Sequence, residues 1–375
     1  MQSKSQAPSI TTGPITAQLM LFFFPILLGT FFQQLYNTVD TIIVGNFVGT
    51  NTALAAVGGA TGQLVNLFVG FFIGLSSGCG VIISQYYGAR DQNAVSKSVH
   101  TALAFSLLSG VVIMVLGLLL TDFSLRAMSL PEEIMPEATA YLRIFFLGMI
   151  PNLFYNMGAA VLRAIGDSKR PLYFLILSCL CNIVLDLIFV AYLRLGVSGA
   201  ALATILSQLA SAVMVLFVLL RTKSDVRLIP SQLRLEPFWL KKMIYVGLPA
   251  GLQSTMYTVS NIIVQATINS FGTNTIAAVT AYGKMDVIFW MVINAFGIAI
   301  TTFVGQNYGA GKTERAFRGF RAALLLAAIG TLLLSGIIWL FGMNFLLFFT
   351  KDPDVLAICN RLIHFVVPFF ITYIP

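Results

Sequence analysis

Between Lys4 and Arg90 the chain carries one formally charged side chain, Asp40, in a run of Phe, Leu, Ile, Val and Gly long enough to cross a bilayer twice. In hydrocarbon such a stretch must satisfy its own backbone hydrogen bonds, which for runs of about 20 residues means α-helices. Composition extends the restriction to the whole chain. Of 375 residues, 58% are hydrophobic and only 10% charged, against roughly a quarter charged in soluble globular proteins, and the mean hydropathy is +0.88. The fold class is therefore all-α, a polytopic membrane protein.

Apolar runs predict ten helices, near 17–46, 53–86, 97–120, 138–160, 171–193, 198–220, 242–269, 276–305, 318–349 and 355–375. The first is too long for a signal-peptide core and is read as retained. Sixteen of the 22 Lys and Arg fall in the N-terminus and in the connectors after the second, fourth, sixth and eighth helices. That alternation places the N-terminus in the cytoplasm, in the inner (plasma) membrane of a cell, and explains the net charge of +8 without nucleic acid. The four cysteines, Cys79, Cys179, Cys181 and Cys359, lie in or beside apolar runs without metal-ligand spacing and are read as packing residues.

An internal repeat divides the chain. Gly49-Thr50-Asn51-Thr52 returns as Gly272-Thr273-Asn274-Thr275, and Ser84-Gln85-Tyr86-Tyr87-Gly88-Ala89 returns as Gly305-Gln306-Asn307-Tyr308-Gly309-Ala310. Pro25 answers to Pro249. The common offset of about 220 residues spans six helices, so the copies share one membrane orientation. The reading is an N-lobe over 1–220, a cytoplasmic linker over 221–241 and a C-lobe over 242–375. Two six-helix lobes require twelve helices, so the second lobe is expected to lack its last two.

A carboxylate near the bilayer centre costs at least a few kcal/mol unless it has a partner, water or an ion. Asp186 repeats the pattern of Asp40, standing alone between Arg170 and Arg194. Asn182 lies one turn before Asp186, while Asn37 and Tyr36 share the helical face of Asp40. Two acids with polar neighbours form a site able to exchange a proton or sodium ion with conformation; the bland alternative is polar helix packing. Gln33, Tyr36, Asn37 and, on the fourth helix, Asn156 are read as lining a substrate path. A third acid, Asp286, lies two positions from Lys284, a spacing at which side chains do not face each other. Arg143 is one candidate partner for either.

The run Tyr36 to Gly45, Ala55-Ala56-Val57-Gly58, Gly199 to Thr204, Gly247-Leu248-Pro249 and Gly305 to Ala310 together resemble the multidrug and toxic compound extrusion (MATE) transporters over essentially the whole chain. The resemblance implies two helix bundles around a central cavity and export of amphipathic, often cationic, compounds in exchange for protons or sodium ions. It resembles most the DinF-like branch, which implies a cation site at Asp40, Asn182, Asp186 and Thr204, and a hinge at Pro25. The acids that the NorM-like branch carries on its seventh and tenth helices are missing here.

Other classes fit less well. Gly309-Ala310-Gly311-Lys312-Thr313 looks like the end of a P-loop but lacks its first glycine and follows a helix rather than a strand. The reading is therefore a non-enzyme driven by an ion gradient, with no cofactor, no nucleotide or nucleic-acid partner, no metal beyond sodium, and a monomeric state. An intramembrane aspartyl protease would need a GxGD motif, absent here. A flippase for a lipid-linked oligosaccharide or peptidoglycan precursor is the alternative, for which several basic residues would line the cavity. Only Arg143 and Lys284 qualify by sequence.

Overall fold

A computed structural model describes residues 10–48, 51–58, 60–128, 130–347 and 352–374. Lys4, Gly49, Thr50 and Lys351, used in the topology and repeat readings, lie outside the described residues. The described regular structure is helical throughout. In order come α1 (Ile15–Phe47), α2 (Asn51–Gly58), α3 (Ala60–Gly88), α4 (Gln92–Ala127), α5 (Met135–Leu147), α6 (Met149–Ala164), α7 (Lys169–Asp186) and α8 (Gly196–Arg221). After the linker follow α9 (Pro237–Asn269), α10 (Thr273–Gly309), α11 (Thr313–Leu346) and α12 (Pro353–Val366).

Among the described residues each of the ten apolar runs is helical, the second as α2 and α3 and the fourth as α5 and α6. Eight are helices long and apolar enough to cross a membrane, and α5 with α6 makes a ninth span bent by 50°. The tenth, α9, is 33 residues long but diluted by Gln253, Ser254, Thr255, Thr258, Ser260 and Asn261. It begins at Pro237, five residues before the expected 242, because a proline at the first helical position is preorganised and its missing N–H is not needed there.

One core gathers Leu103, Leu142, Met149, Leu153 and Val215 from the helices before the linker with Trp239 and Met243 of α9, and a second gathers Met285, Phe289, Cys359, Ile363 and Phe370 from the helices after it. The two repeat copies end their helices in the same way. Ala89, Arg90 and Asp91 donate backbone N–H bonds to Gln85, Tyr87 and Tyr86 carbonyls, and Ala310, Gly311 and Lys312 do so to Gln306, Tyr308 and Asn307. Each cap contains one left-handed residue, Arg90 (φ 59°) and Gly311 (φ 72°). The stretch resembling a P-loop is thus the C-terminal cap of α10, and Lys312 Nζ donates to the Thr11 carbonyl at 2.9 Å.

The lobes meet along α3, which packs on α9 and α10. A Cβ on Gly88 would collide with the Gln306 carbonyl, and one on Gly309 with the Gln85 carbonyl, a reciprocal contact between the two repeat copies. Further along, Gly74 faces Ala250 and Gly251, and Gly78 faces Gly247. Without a hydrophobic driving force between helices in lipid, such small residues let dispersion contacts hold the seam.

The linker after α8 is anchored on α4. His100 Nδ1–H donates to the Ser96 carbonyl at 2.7 Å, leaving Nε2 to accept from Ile229 N–H at 2.9 Å. The Glu236 N–H donates to Thr101 Oγ1 at 3.4 Å.

Candidate functional site

Within the N-lobe, α1, α7 and α8 bring Asp40, Asn182, Asp186 and Thr204 into its interior. Their exposures are 5%, 0%, 0% and 4%. The carboxyl groups of Asp40 and Asp186 lie close enough to influence each other's charge. Asp40 Oδ1, both Asp186 oxygens, both Asn182 amide atoms and Thr204 Oγ1 have no protein hydrogen-bond partner. Each orphaned buried polar atom costs about 1–3 kcal/mol. Packing alone gives no reason to gather them. A proton shared by the acids, or a cation ringed by their oxygens, the Asn182 carbonyl and the Thr204 hydroxyl, gives one.

The local backbone supports the same site. The α-helix of α7 stops at Asp186 and passes into π-helical Leu187–Tyr192, where Leu193 N–H bonds the Ile188 carbonyl at 2.8 Å. Such wide turns recur at functional positions because they leave carbonyls and side chains off the α-helical register.

Of the residues read as substrate-lining, Tyr36 is partly buried in the neighbourhood of Gln33, Gln208 and Asp40. Gln33 and Asn37 are exposed. Asn156 donates to the Asn152 carbonyl at 2.9 Å and lines a small cavity of about 70 Å³ between the lobes. That cavity shares Ser77, Ile298 and Thr301 with a larger chamber of about 480 Å³, whose walls include Gln253, Asn294, Phe296 and Tyr373.

Pro25 lies inside α1 where its packing changes. Phe22, Phe23 and Ile26 join α10 and α11, with Phe23 stacked on Phe296 at 4.0 Å, and from Gly29 onward the helix abuts Leu172 and Leu175 of α7. The proline therefore stands within the stretch of α1 that packs on α10 and α11, about one turn before the helix turns to α7 and about four turns before Asp40.

The comparisons with known proteins address the chain as a whole. The MatE family model matches residues 25–188 and 249–375. The chain belongs to the MatE family. It is 30% identical over 97% of its length, and 81% of the relative's, to "Probable multidrug resistance protein YpnP" of Bacillus subtilis (strain 168). "Probable multidrug resistance protein YoeA" of the same organism is also 30% identical, over 96% of this chain and 80% of its own. A solved structure described as the outward-facing conformation of a multidrug resistance MATE family transporter superposes with a TM-score of 0.91 at 25% identity, covering 98% of this chain and 82% of that one. The MATE chain is accordingly a multi-pass membrane transporter of small molecules and not an enzyme.

The MATE fold also corrects two sequence placements. Arg143, suggested as a partner for Asp286 or Lys284, instead pairs with Asp122 at 2.7 Å, with both side chains about half exposed. A neighbouring acid on α4 satisfies it, a pairing across 21 residues that helix spacing does not reveal. Asp286 accepts from Trp290 Nε1 at 3.0 Å, one turn on, and Lys284 is exposed. Arg163, counted with the loop after the fourth helix, lines the 70 Å³ inter-lobe cavity. Two residues near the acid pair were missed. Gln208 lies one turn after Thr204, a signal available from spacing, and its Oε1 is buried without a partner. Tyr141 of α5 is buried near enough to both acids to feel their charge, which only the tertiary structure shows.

Proposed function

We propose that the protein is an ion-coupled antiporter. It exports amphipathic compounds, organic cations among them, in exchange for protons or Na⁺ by alternating access of its two lobes. The observation that carries this reading is the set of unpartnered oxygens and amide atoms on Asp40, Asn182, Asp186 and Thr204, buried in the N-lobe beside the helix that spans both lobes. Binding of the coupling ion or proton there favours one packing of α1, and binding of substrate in the cavity between the lobes and the α10–α11 chamber it adjoins favours the other. Pro25 supplies the flexible point, since a proline removes one helical hydrogen bond and tolerates a bend. We place the N-terminus and the α3 and α10 caps in the cytoplasm, on the basic connectors, in the inner membrane, with the chain acting as a monomer without nucleotide or nucleic acid.

The test is efflux of ethidium from cells while the proton and sodium gradients are collapsed separately. One collapse should stop efflux, naming the ion, and Asp40→Asn should abolish it. Ethidium efflux that survives both collapses, or that Asp40→Asn leaves intact, refutes ion coupling at this site. If the protein moves a lipid-linked sugar and no dye, the flippase reading replaces this one.

A further inference from the structure

The small inter-lobe cavity presents a positive charge that the fold does not neutralise. Arg163 stands at the C-terminal end of α6 and faces this space together with Ser76, Asn156, Thr301 and Thr302. Among the described residues no carboxylate pairs with its guanidinium and no acceptor receives a hydrogen bond from it; the four ion pairs recorded there involve Arg143, Arg170, Arg234 and Arg318. The Ala164 carbonyl, which a helix-terminal arginine could cap, is occupied by Gln306 Nε2 at 2.7 Å. Across the same cavity Ser76 is 3% exposed and its Oγ has no partner.

These groups complement one chemistry. A guanidinium offers five N–H donors in a planar fork that matches the two oxygens of a carboxylate or phosphate, and a hydroxyl adds a further donor. A cavity of about 70 Å³ has room for a group the size of about two waters. It opens into the 480 Å³ chamber, where Phe296, Phe320 and Leu324 provide apolar wall and Gln253 and Asn294 provide neutral polar groups, with no acid lining either space. The position is also telling. Thr301 and Thr302 precede by one turn the Gly305 that packs on Ser84, so the cavity adjoins the seam between α3 and α10.

We propose that the inter-lobe cavity and the adjoining α10–α11 chamber bind amphipathic molecules bearing an oxyanion, a carboxylate or a phosphate, whose charged group docks on Arg163 and Ser76 while the apolar body fills the chamber. This rests on the reading of the chamber as the transport path and adds a substrate class to the organic cations. Anionic and zwitterionic amphipaths are recognised at Arg163, at a place separate from the Asp40–Asp186 pair.

The experiment measures binding of carboxyfluorescein, an amphipathic anion, and of ethidium, a cation, to the full protein in lipid nanodiscs by fluorescence anisotropy. Arg163→Gln is expected to raise the carboxyfluorescein Kd at least tenfold relative to the ethidium Kd, and Arg163→Lys by a smaller factor because charge survives without the fork. Ser76→Asp, which plants a carboxylate beside the intact arginine, is expected to reduce carboxyfluorescein binding by a similar factor and keeps the test open if Arg163→Gln does not fold. Binding equal in phosphatidylcholine and phosphatidylglycerol discs assigns the site to a soluble oxyanion. Binding lost only in phosphatidylglycerol, with ethidium binding unchanged there and salt not restoring the loss, assigns the site to an anionic lipid headgroup. No carboxyfluorescein binding by the wild type, or equal weakening of both dyes by Arg163→Gln, overturns the proposal. Gradient-driven ethidium efflux by the wild type is scored separately, so failure of the antiporter reading is distinguished from failure of this one.

Discussion

Placing methyl groups on the reciprocal glycines of the lobe seam tests whether the contact is a gate or only packing. In Gly88→Ala/Gly309→Ala each new Cβ falls inside the van der Waals radius of a backbone carbonyl, Gln306 for one and Gln85 for the other. Backbone oxygens cannot rotate away as a side chain can, so α3 and α10 must part. Overpacking of this kind costs about 1–3 kcal/mol per site. The sites share one seam and are not fully additive, so we take about 3 kcal/mol for the pair. If the lobes can swing apart at this end, that cost falls only on the closed conformation and shifts the open-to-closed ratio by roughly 10². The assay is maleimide labelling of Thr302→Cys, a buried position just above the seam, in a background lacking the four native cysteines. A membrane-impermeant reagent applied from the side of residues 84–91 should label it about 10 to 100 times faster in the double variant. Unchanged labelling together with a lowered Tm would show that the glycines serve folding alone and would refute the gate.

Three further outcomes follow from the same structure. Asp186→Asn removes a buried charge whose oxygens lack protein partners, so it should leave stability unchanged or raise it by about 1 kcal/mol while lowering ion-coupled efflux at least tenfold; a marked fall in Tm would show that the acid is structural. Pro25→Ala restores a helical hydrogen-bond donor inside α1 and is expected to keep the protein folded in the membrane yet slow transport at least fivefold, whereas wild-type rates would end the hinge reading. His100→Phe leaves the Ile229 N–H without its acceptor, which should cost about 1–3 kcal/mol and speed tryptic cleavage at Arg227 in the linker; unaltered cleavage would mean the anchor is redundant.

Helix number, helix order and the candidate acids are legible in the amino-acid order alone. Apolar runs set the rods because a bilayer admits little else for such segments. The Ser84 to Ala89 repeat predicts two equivalent lobes, and the matching caps at Arg90 and Gly311 follow from it. Asp40 and Asp186 stand out because an isolated acid in hydrocarbon is costly, and their i−4 neighbours Tyr36 and Asn182 come from helical spacing alone.

Contacts between distant helices are decided only in three dimensions. Whether Asp40 meets Asp186, whether Tyr141 completes their surroundings, and whether Gly88 lies on Gln306 are set by how helices rotate and cross, and one-dimensional periodicity carries no such angle. Arg143 and Arg163 make the point most directly. By sequence Arg143 reads as intramembrane and Arg163 as a loop residue, yet Arg143 finds Asp122 on an exposed face while Arg163 turns into the space between the lobes. A long, flexible basic side chain reaches far enough from its backbone that only its neighbours decide which surface it serves.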